Sequence, residues 1–298
     1  MAATRQLERK PQTVSPAAVP PVRLRVRWDR VSVLVALLAV LTTVTAHAVI
    51  SAVHDGLRAM SAEHLPPAGT TIGVAEQAHE AHQKCPPPAT VVLHTAPAAA
   101  ADDTARTVAL TFDDGPGPAT PAVLDILHRN GVHATFFVIG QRVAAEPKMV
   151  QRIAADGHAL GNHSWSHHIP SAKAGWKRST VTTEIERTNR AILAATGLKP
   201  CLFRPPGGIV KGAGKATHAA GLSMILWSTD PRDWAVSASK KSASVIRKRV
   251  AAGLNEQHPV ILLHDGGGNR SATVAALQGI IDDYRAHGYQ FVTLAEPG

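Results

Sequence analysis

Aromatic residues make up only 4% of this 298-residue chain, and it has two cysteines, Cys85 and Cys201. Two cysteines exclude a disulfide-built scaffold, and neither stands near a Cys or His partner at zinc-ligand spacing. In an oxidising compartment they could form one bond, tying the middle of the chain to its C-terminal part. No stretch interleaves aromatic with basic residues as nucleic-acid readers do. Despite a formal charge of +9, no nucleic-acid partner is therefore expected. Between 31 and 53 there is no Lys, Arg, Asp or Glu at all. Such a run is long enough to cross a bilayer as a helix.

The charge that is present is uneven: +5 over residues 1–30, −3 over 31–106 and +7 over 107–298. Arg23, Arg25, Arg27 and Arg30 precede the uncharged run, so the positive-inside bias puts 1–30 in the cytoplasm and the rest outside. Ala46-His47-Ala48 has the form that signal peptidase reads, which leaves a cleaved signal peptide open. The 30-residue polar lead is long for that and favours an anchor. Residues 54–105 are rich in Ala and Pro without sustained periodicity and are expected to be a tether. His79, His82 and His94 fall in it and are expected to be solvated.

From 106 onward, short apolar runs alternate with longer helical windows. Strands are expected at 107–112, 134–139, 158–161, 201–204, 223–227, 260–264 and 290–294. Helices are expected at 121–129, 148–155, 180–195, 239–252 and 271–287. Repeated alternation of this kind points to an α/β fold with a parallel sheet. The count and length fit a distorted (β/α)7-8 TIM-like barrel, with an open doubly wound sheet as the alternative. In both plans the loops at the C-terminal strand ends form the site. Asp113, Asp114, His163, His167, Arg204, Asp233 and His264 all fall at such ends.

Each segment has an ordinary reading as well as a chemical one. Thr111-Phe112-Asp113-Asp114-Gly115 could be a plain turn. His163 and His167 are spaced i, i+4, which on a turn of helix would bring both rings to one ion. Adding a carboxylate from another loop makes a two-His, one-carboxylate set with open positions, as in catalytic divalent sites. Arg204, before Pro205-Pro206-Gly207-Gly208, could orient a carboxylate by paired hydrogen bonds.

Taken in order, TFDDG, HSWSH, RPPGG, DPRDW and LLH resemble the five motifs of the polysaccharide deacetylases of the NodB-homology type, carbohydrate esterase family 4. The resemblance covers about residues 105–296. It implies metal ligation by Asp114, His163 and His167, with zinc the expected ion and cobalt able to replace it. It implies Asp113 as general base oriented by Arg204, and His264 as general acid tuned by Asp233. Leu262 and Trp234 would wall the acetyl pocket, and the Gly207 N–H would face the oxyanion. Gly207 departs from the family, which usually has an aromatic residue there.

The expected function is therefore removal of N-acetyl groups from an amino-sugar polymer outside the cytoplasm, such as peptidoglycan or a chitin-like glycan. An O-deacetylase acting on acetylated xylan and a non-catalytic glycan-binding module are the alternatives. A monomer is expected, with the glycan and, through 31–53, the membrane as partners.

Overall fold

The computed structural model describes residues 81–82, 93–95, 105–237 and 239–296. They lie in one compact unit, Gln77–Gly298. The membrane segment expected at 31–53 falls outside the described residues. Among the described residues no helix is long and apolar enough to cross a membrane.

The first half of the fold runs β1 (Ala81–His82), β2 (Thr107–Gly115), α1 (Thr120–Arg129), β3 (Thr135–Val138), α2 (Gly140–Ala145), α3 (Pro147–Ala155) and β4 (Ala159–Asn162). It continues with α4 (Arg178–Thr196), β5 (Leu198–Lys199), β6 (Leu202–Phe203), α5 (Gly214–Ala219) and β7 (Ser223–Met224). The last part holds α6 (Lys240–Val250), β8 (Val260–His264), α7 (Ser271–Ala286) and β9 (Gln290–Phe291). Helix boundaries carry local signals. Pro121 and Pro147 open α1 and α3, Ser239 caps α6 through the Ser242 N–H, and Gly197 ends α4 at φ 73°.

The sheet is parallel in the order β7-β6-β4-β3-β2-β8, with β9 also on β2. Past its ends, Thr229 bridges Ile261, Leu93 bridges Ile225 and Thr95 bridges Pro259. These bridges link the β7 side back to β8, the closure that distinguishes a distorted barrel from an open sheet. Leu93 and Thr95 correct the tether expected over 54–105, because they pair with the sheet rather than stand off from it. β1 likewise pairs with β5. His94 is exposed, and its Nδ1 lies 3.2 Å from the Trp227 carbonyl. Cys201 is disulfide-bonded, while Cys85, the other cysteine, lies outside the described residues.

Alternation along the strands sorts two faces. Val108, Leu110 and Phe112 of β2, Phe136 and Val138 of β3, and Ile261 and Leu263 of β8 pack outward under the helices, where Leu124, Leu127, Leu277 and Ile281 meet them. Fully burying one such side chain contributes about 1.5–3 kcal/mol. Ala109, Phe137 and Val260 point inward to a smaller cluster. The inward row of β2 continues through Thr111 to Asp113, so alternation itself aims Asp113 into the barrel. α2 and α5, six residues each, were not expected from sequence, because so short a helix offers too few turns to show a period.

Candidate active site

β2 runs two residues beyond Asp113, and its pairing with β3 shifts register between Asp113 and Gly115. At that irregularity Asp114 takes φ 71°, a left-handed backbone that a non-glycine residue adopts at a cost. The two neighbouring carboxylates thereby face the same pocket from different directions. Asp113 sits opposite His264 in the β2–β8 ladder.

Arg204 occupies the middle of the barrel and is fully buried. Its Nη1 donates to Asp113 Oδ1 at 2.8 Å and to Thr111 Oγ1 at 2.7 Å, and its Nη2 donates to the Leu226 carbonyl at 2.8 Å. The guanidinium lies 4.0 Å from the Phe137 ring centroid. Burial lowers the Arg204 pKa, and the Asp113 charge opposes that shift. Thr111 and Phe137 thus serve the site although they read as core.

His163 and His167 meet without a helix. The stretch is an irregular loop after β4, with Ser164 at φ 65° and His167 at φ 55°. Side chains hold its backbone in place of helical hydrogen bonds. Glu184 of α4 accepts from the Trp165 and Ser166 N–H groups at 2.8 Å each, and Asn162 Oδ1 accepts from the Ser164 N–H at 2.8 Å. The ring centroids of His163 and His167 are 5.1 Å apart.

Asp114, His163 and His167 each offer a ligand atom within 4.8 Å of the others. His163 Nδ1 lies 2.7 Å from the Arg204 carbonyl, which can only accept, so Nδ1 carries the proton. The other ring nitrogen of His163, Nε2, lies 3.4 Å from Asp114 Oδ1, and His167 Nε2 lies 3.0 Å from the same oxygen. That buried oxygen has no hydrogen-bond partner. A buried carboxylate oxygen facing imidazole nitrogens is what a divalent ion would complete. Burial alone would raise the Asp114 carboxyl, and the two imidazoles bring it down instead. Asp113 Oδ2, at 3.6 Å from His163 Nε2, remains beside this group but is tied through Oδ1 to Arg204.

On the opposite side, His264 Nδ1 lies 2.7 Å from Asp233 Oδ1. Asp233 Oδ2 accepts from the His264 N–H at 2.9 Å and from the Thr273 hydroxyl at 2.8 Å. Burial alone would lower the His264 pKa, but the hydrogen bond and charge of Asp233 raise it on balance. Asp265, next in the chain, is fully buried, and burial pushes its carboxyl up to about 7. It accepts from the Thr120 hydroxyl and leaves no room for a side chain at Gly115.

These groups surround a cavity of about 340 Å³. Of the ten residues expected to form the site, Asp113, Asp114, His163, His167, Gly207, Trp234, Leu262 and His264 line it. Arg204 and Asp233 stand behind, holding Asp113 and His264. Ile169, Trp227 and Asp230 also line it and were not expected. No local signal marks Ile169 or Trp227, whereas Asp230 belongs to the DPRDW segment and could have been found there. Gly207 has φ 63°, and a Cβ built on it would stand 3.1 Å from Ile169 Cγ2. Ile169 therefore forms the wall beside the position that lacks an aromatic ring.

The description "polysaccharide deacetylase" belongs to the family that matches residues 100–225. That match ends before Asp233 and His264, whose place at the site rests on the geometry above. The chain is 38% identical over 195 residues to the peptidoglycan-N-acetylglucosamine deacetylase of Bacillus cereus, covering 64% of this chain and 87% of that one. It is 37% identical over 205 residues to a chitooligosaccharide deacetylase of a Bradyrhizobium species, covering 64% and 90%. A solved family 4 carbohydrate esterase from Streptomyces lividans, in complex with acetate, superposes with a TM-score of 0.55 at 32% identity, covering 62% of this chain and 90% of the other.

Proposed function

We propose that this chain, which belongs to the polysaccharide deacetylase family, is a metal-dependent hydrolase that removes N-acetyl groups from an amino-sugar polymer and releases acetate. The observation that carries the reading is the division of labour between two adjacent carboxylates. Asp114 shares a buried, incompletely bonded cluster with His163 and His167, whereas Asp113 is held by Arg204.

Asp114, His163 and His167 would hold the ion, with zinc favoured by the donor set and cobalt a working substitute. Such an ion supplies Lewis acidity toward the acetyl carbonyl and eases deprotonation of water. Asp113 removes a proton from the attacking water through the oxygen that Arg204 leaves free, help worth about 10²–10⁴ in rate. The Gly207 N–H donates to the oxyanion that develops on the acetyl oxygen. His264, held protonated by Asp233, gives its Nε2 proton to the amine nitrogen as the C–N bond breaks. Acetate and a free amino sugar leave, and the proton on Asp113 returns to His264 through solvent. Leu262 and the Trp234 ring enclose the acetyl methyl group.

The polymer is placed outside the cytoplasm. The uncharged run at 31–53 behind four arginines and the disulfide at Cys201 support that, as do relatives named for peptidoglycan and chitooligosaccharide substrates.

Acetate release by the full chain from chitooligosaccharide and from peptidoglycan glycan strands tests the reading, with a chelator and with zinc or cobalt returned. Metal-restored release from either amide substrate is expected. Turnover of acetylated xylan alone would move the assignment to an O-esterase. Tight metal binding with no release from any substrate would favour a glycan-binding module.

A further inference from the structure

The loop after β8 lies directly on the carboxylate that heads the metal side. Its first residue is tied to β2, since the Asp265 N–H donates to the Asp113 carbonyl at 3.2 Å. Gly266 and Gly267 then pass so close to Asp114 that neither could carry a side chain. A Cβ on Gly266 would collide with the Asp114 carbonyl oxygen, and one on Gly267, at φ 72°, would collide with Asp114 Oδ2. Oδ1, by contrast, faces His163 and His167. The glycine pair therefore covers one oxygen of the carboxylate and leaves the other to the imidazoles.

Arg270 holds that pair in place. Its Nε donates to the Gly266 carbonyl at 2.6 Å and its Nη2 to the Gly267 carbonyl at 3.1 Å. Two electrostatic costs weigh against an arginine here. It is buried and, among the described residues, forms no ion pair. It also stands at the N-cap of α7, the positive end of the helix dipole. Desolvating a guanidinium costs free energy, and so does setting a cation at that end. The two carbonyls and the Asp114 carboxylate just beyond them offset those costs. Nη2 stands 3.1 Å from the place where a Gly267 Cβ would meet Asp114 Oδ2.

We propose that Arg270 is a positioning residue for Asp114. It clamps the Gly266–Gly267 backbone over Oδ2, so that the carboxylate offers Oδ1 alone to an ion. The inference rests on the reading of Asp114, His163 and His167 as metal ligands, and it adds the group that fixes how one of them binds. Arg270 touches neither substrate nor the reacting atoms and acts only through the glycine backbone, as outer partners of metal ligands do.

Cobalt(II) titrated into the full chain tests this, with affinity and the visible absorption spectrum read together. Arg270→Ala should weaken cobalt binding about 10–100-fold, the usual cost of losing a partner that orients a ligand. With Oδ2 uncovered, the carboxylate grips the ion through both oxygens, so the visible bands should weaken as the coordination number rises. Arg270→Lys, which keeps the charge but not the forked donors, should fall between the two proteins in both readouts. A role in folding alone would lower the thermal midpoint of the metal-free chain and leave affinity and spectrum as in the wild type, and that result overturns the proposal. If Arg270→Ala does not fold, Arg270→Lys decides by the same comparison. If the wild-type chain itself binds no cobalt, the metal reading fails first and this inference falls with it.

Discussion

On the acid–base side of the cavity each charged group already has its partner. Arg204 is on Asp113, and Asp233 is on His264 with Thr273 behind it. On the metal side Asp114 Oδ1 is buried without a hydrogen-bond partner, and Asp114 and His167 both sit at positive φ. The first side is finished by the chain itself. The second combines positive-φ backbone with a buried oxygen lacking a hydrogen-bond partner, which a bound ion would complete. Two aspartates adjacent in sequence thus end up in opposite situations, and function follows from that difference.

The largest expected effect separates them directly. Asp113→Asn should cut turnover by about 10²–10⁴ or more while metal content, read by elemental analysis, stays near one ion per chain. Asp114→Ala should lose metal first, by more than the roughly 10–100-fold that removal of an outer partner costs. Equal metal loss in both variants would erase the distinction between the two sides. Next, Arg204→Ala should destabilise the fold by about 3–5 kcal/mol in denaturant titration, because it leaves Asp113 buried and unpaired. An unchanged midpoint would mean that the finished side is not held by that pair.

The pH profile sharpens the comparison further. His264 has a raised pKa and is the acid of the proposed mechanism, so activity should fall as pH rises through that value. Its contribution to stability has the same sign, complete below the unfolded-state pKa and lost as pH rises through the folded one. Asp233→Asn removes the group that raises it, so the alkaline fall of activity should move to lower pH. A profile that does not move would assign the acid elsewhere. The smallest effect is expected at Gly115→Ala, where a methyl group meets the Asp265 carboxyl under both sides. A loss of about 1–3 kcal/mol in thermal unfolding is expected, the usual scale for overpacking.

Much of this arrangement was legible in the chain. The strand at 260–264 is observed at Val260–His264, and the strand and helix alternation is seen as a parallel sheet with helices outside it. Apolar alternation and turn residues are local, so they survive without knowledge of neighbours. The i, i+4 spacing of His163 and His167 left open how a loop would bring the two rings together, for a reason sequence spacing does not contain. Glu184 and Asn162 hold the loop backbone from elements that fold against it. Leu93 and Thr95 were read as tether because three residues carry no periodicity, and only the sheet's unpaired edge gives them a role. Ile169 carried no signal, since an exposed aliphatic residue in a loop is ordinary until a cavity is found beside it.

The sequence by itself determined which residue types stand at the strand ends and, through the two-residue period of β2, that Asp113 points inward. The motif resemblance implies the pairing of Arg204 with Asp113, but only the tertiary structure brings it about and leaves Asp114 beside the two imidazoles. That choice depends on a register shift at Asp113–Gly115 and on a guanidinium arriving from β6's end, 91 residues away. Local propensity sets the row of side chains, whereas partner, burial and backbone sign at each position come from chain segments that meet only in the folded barrel.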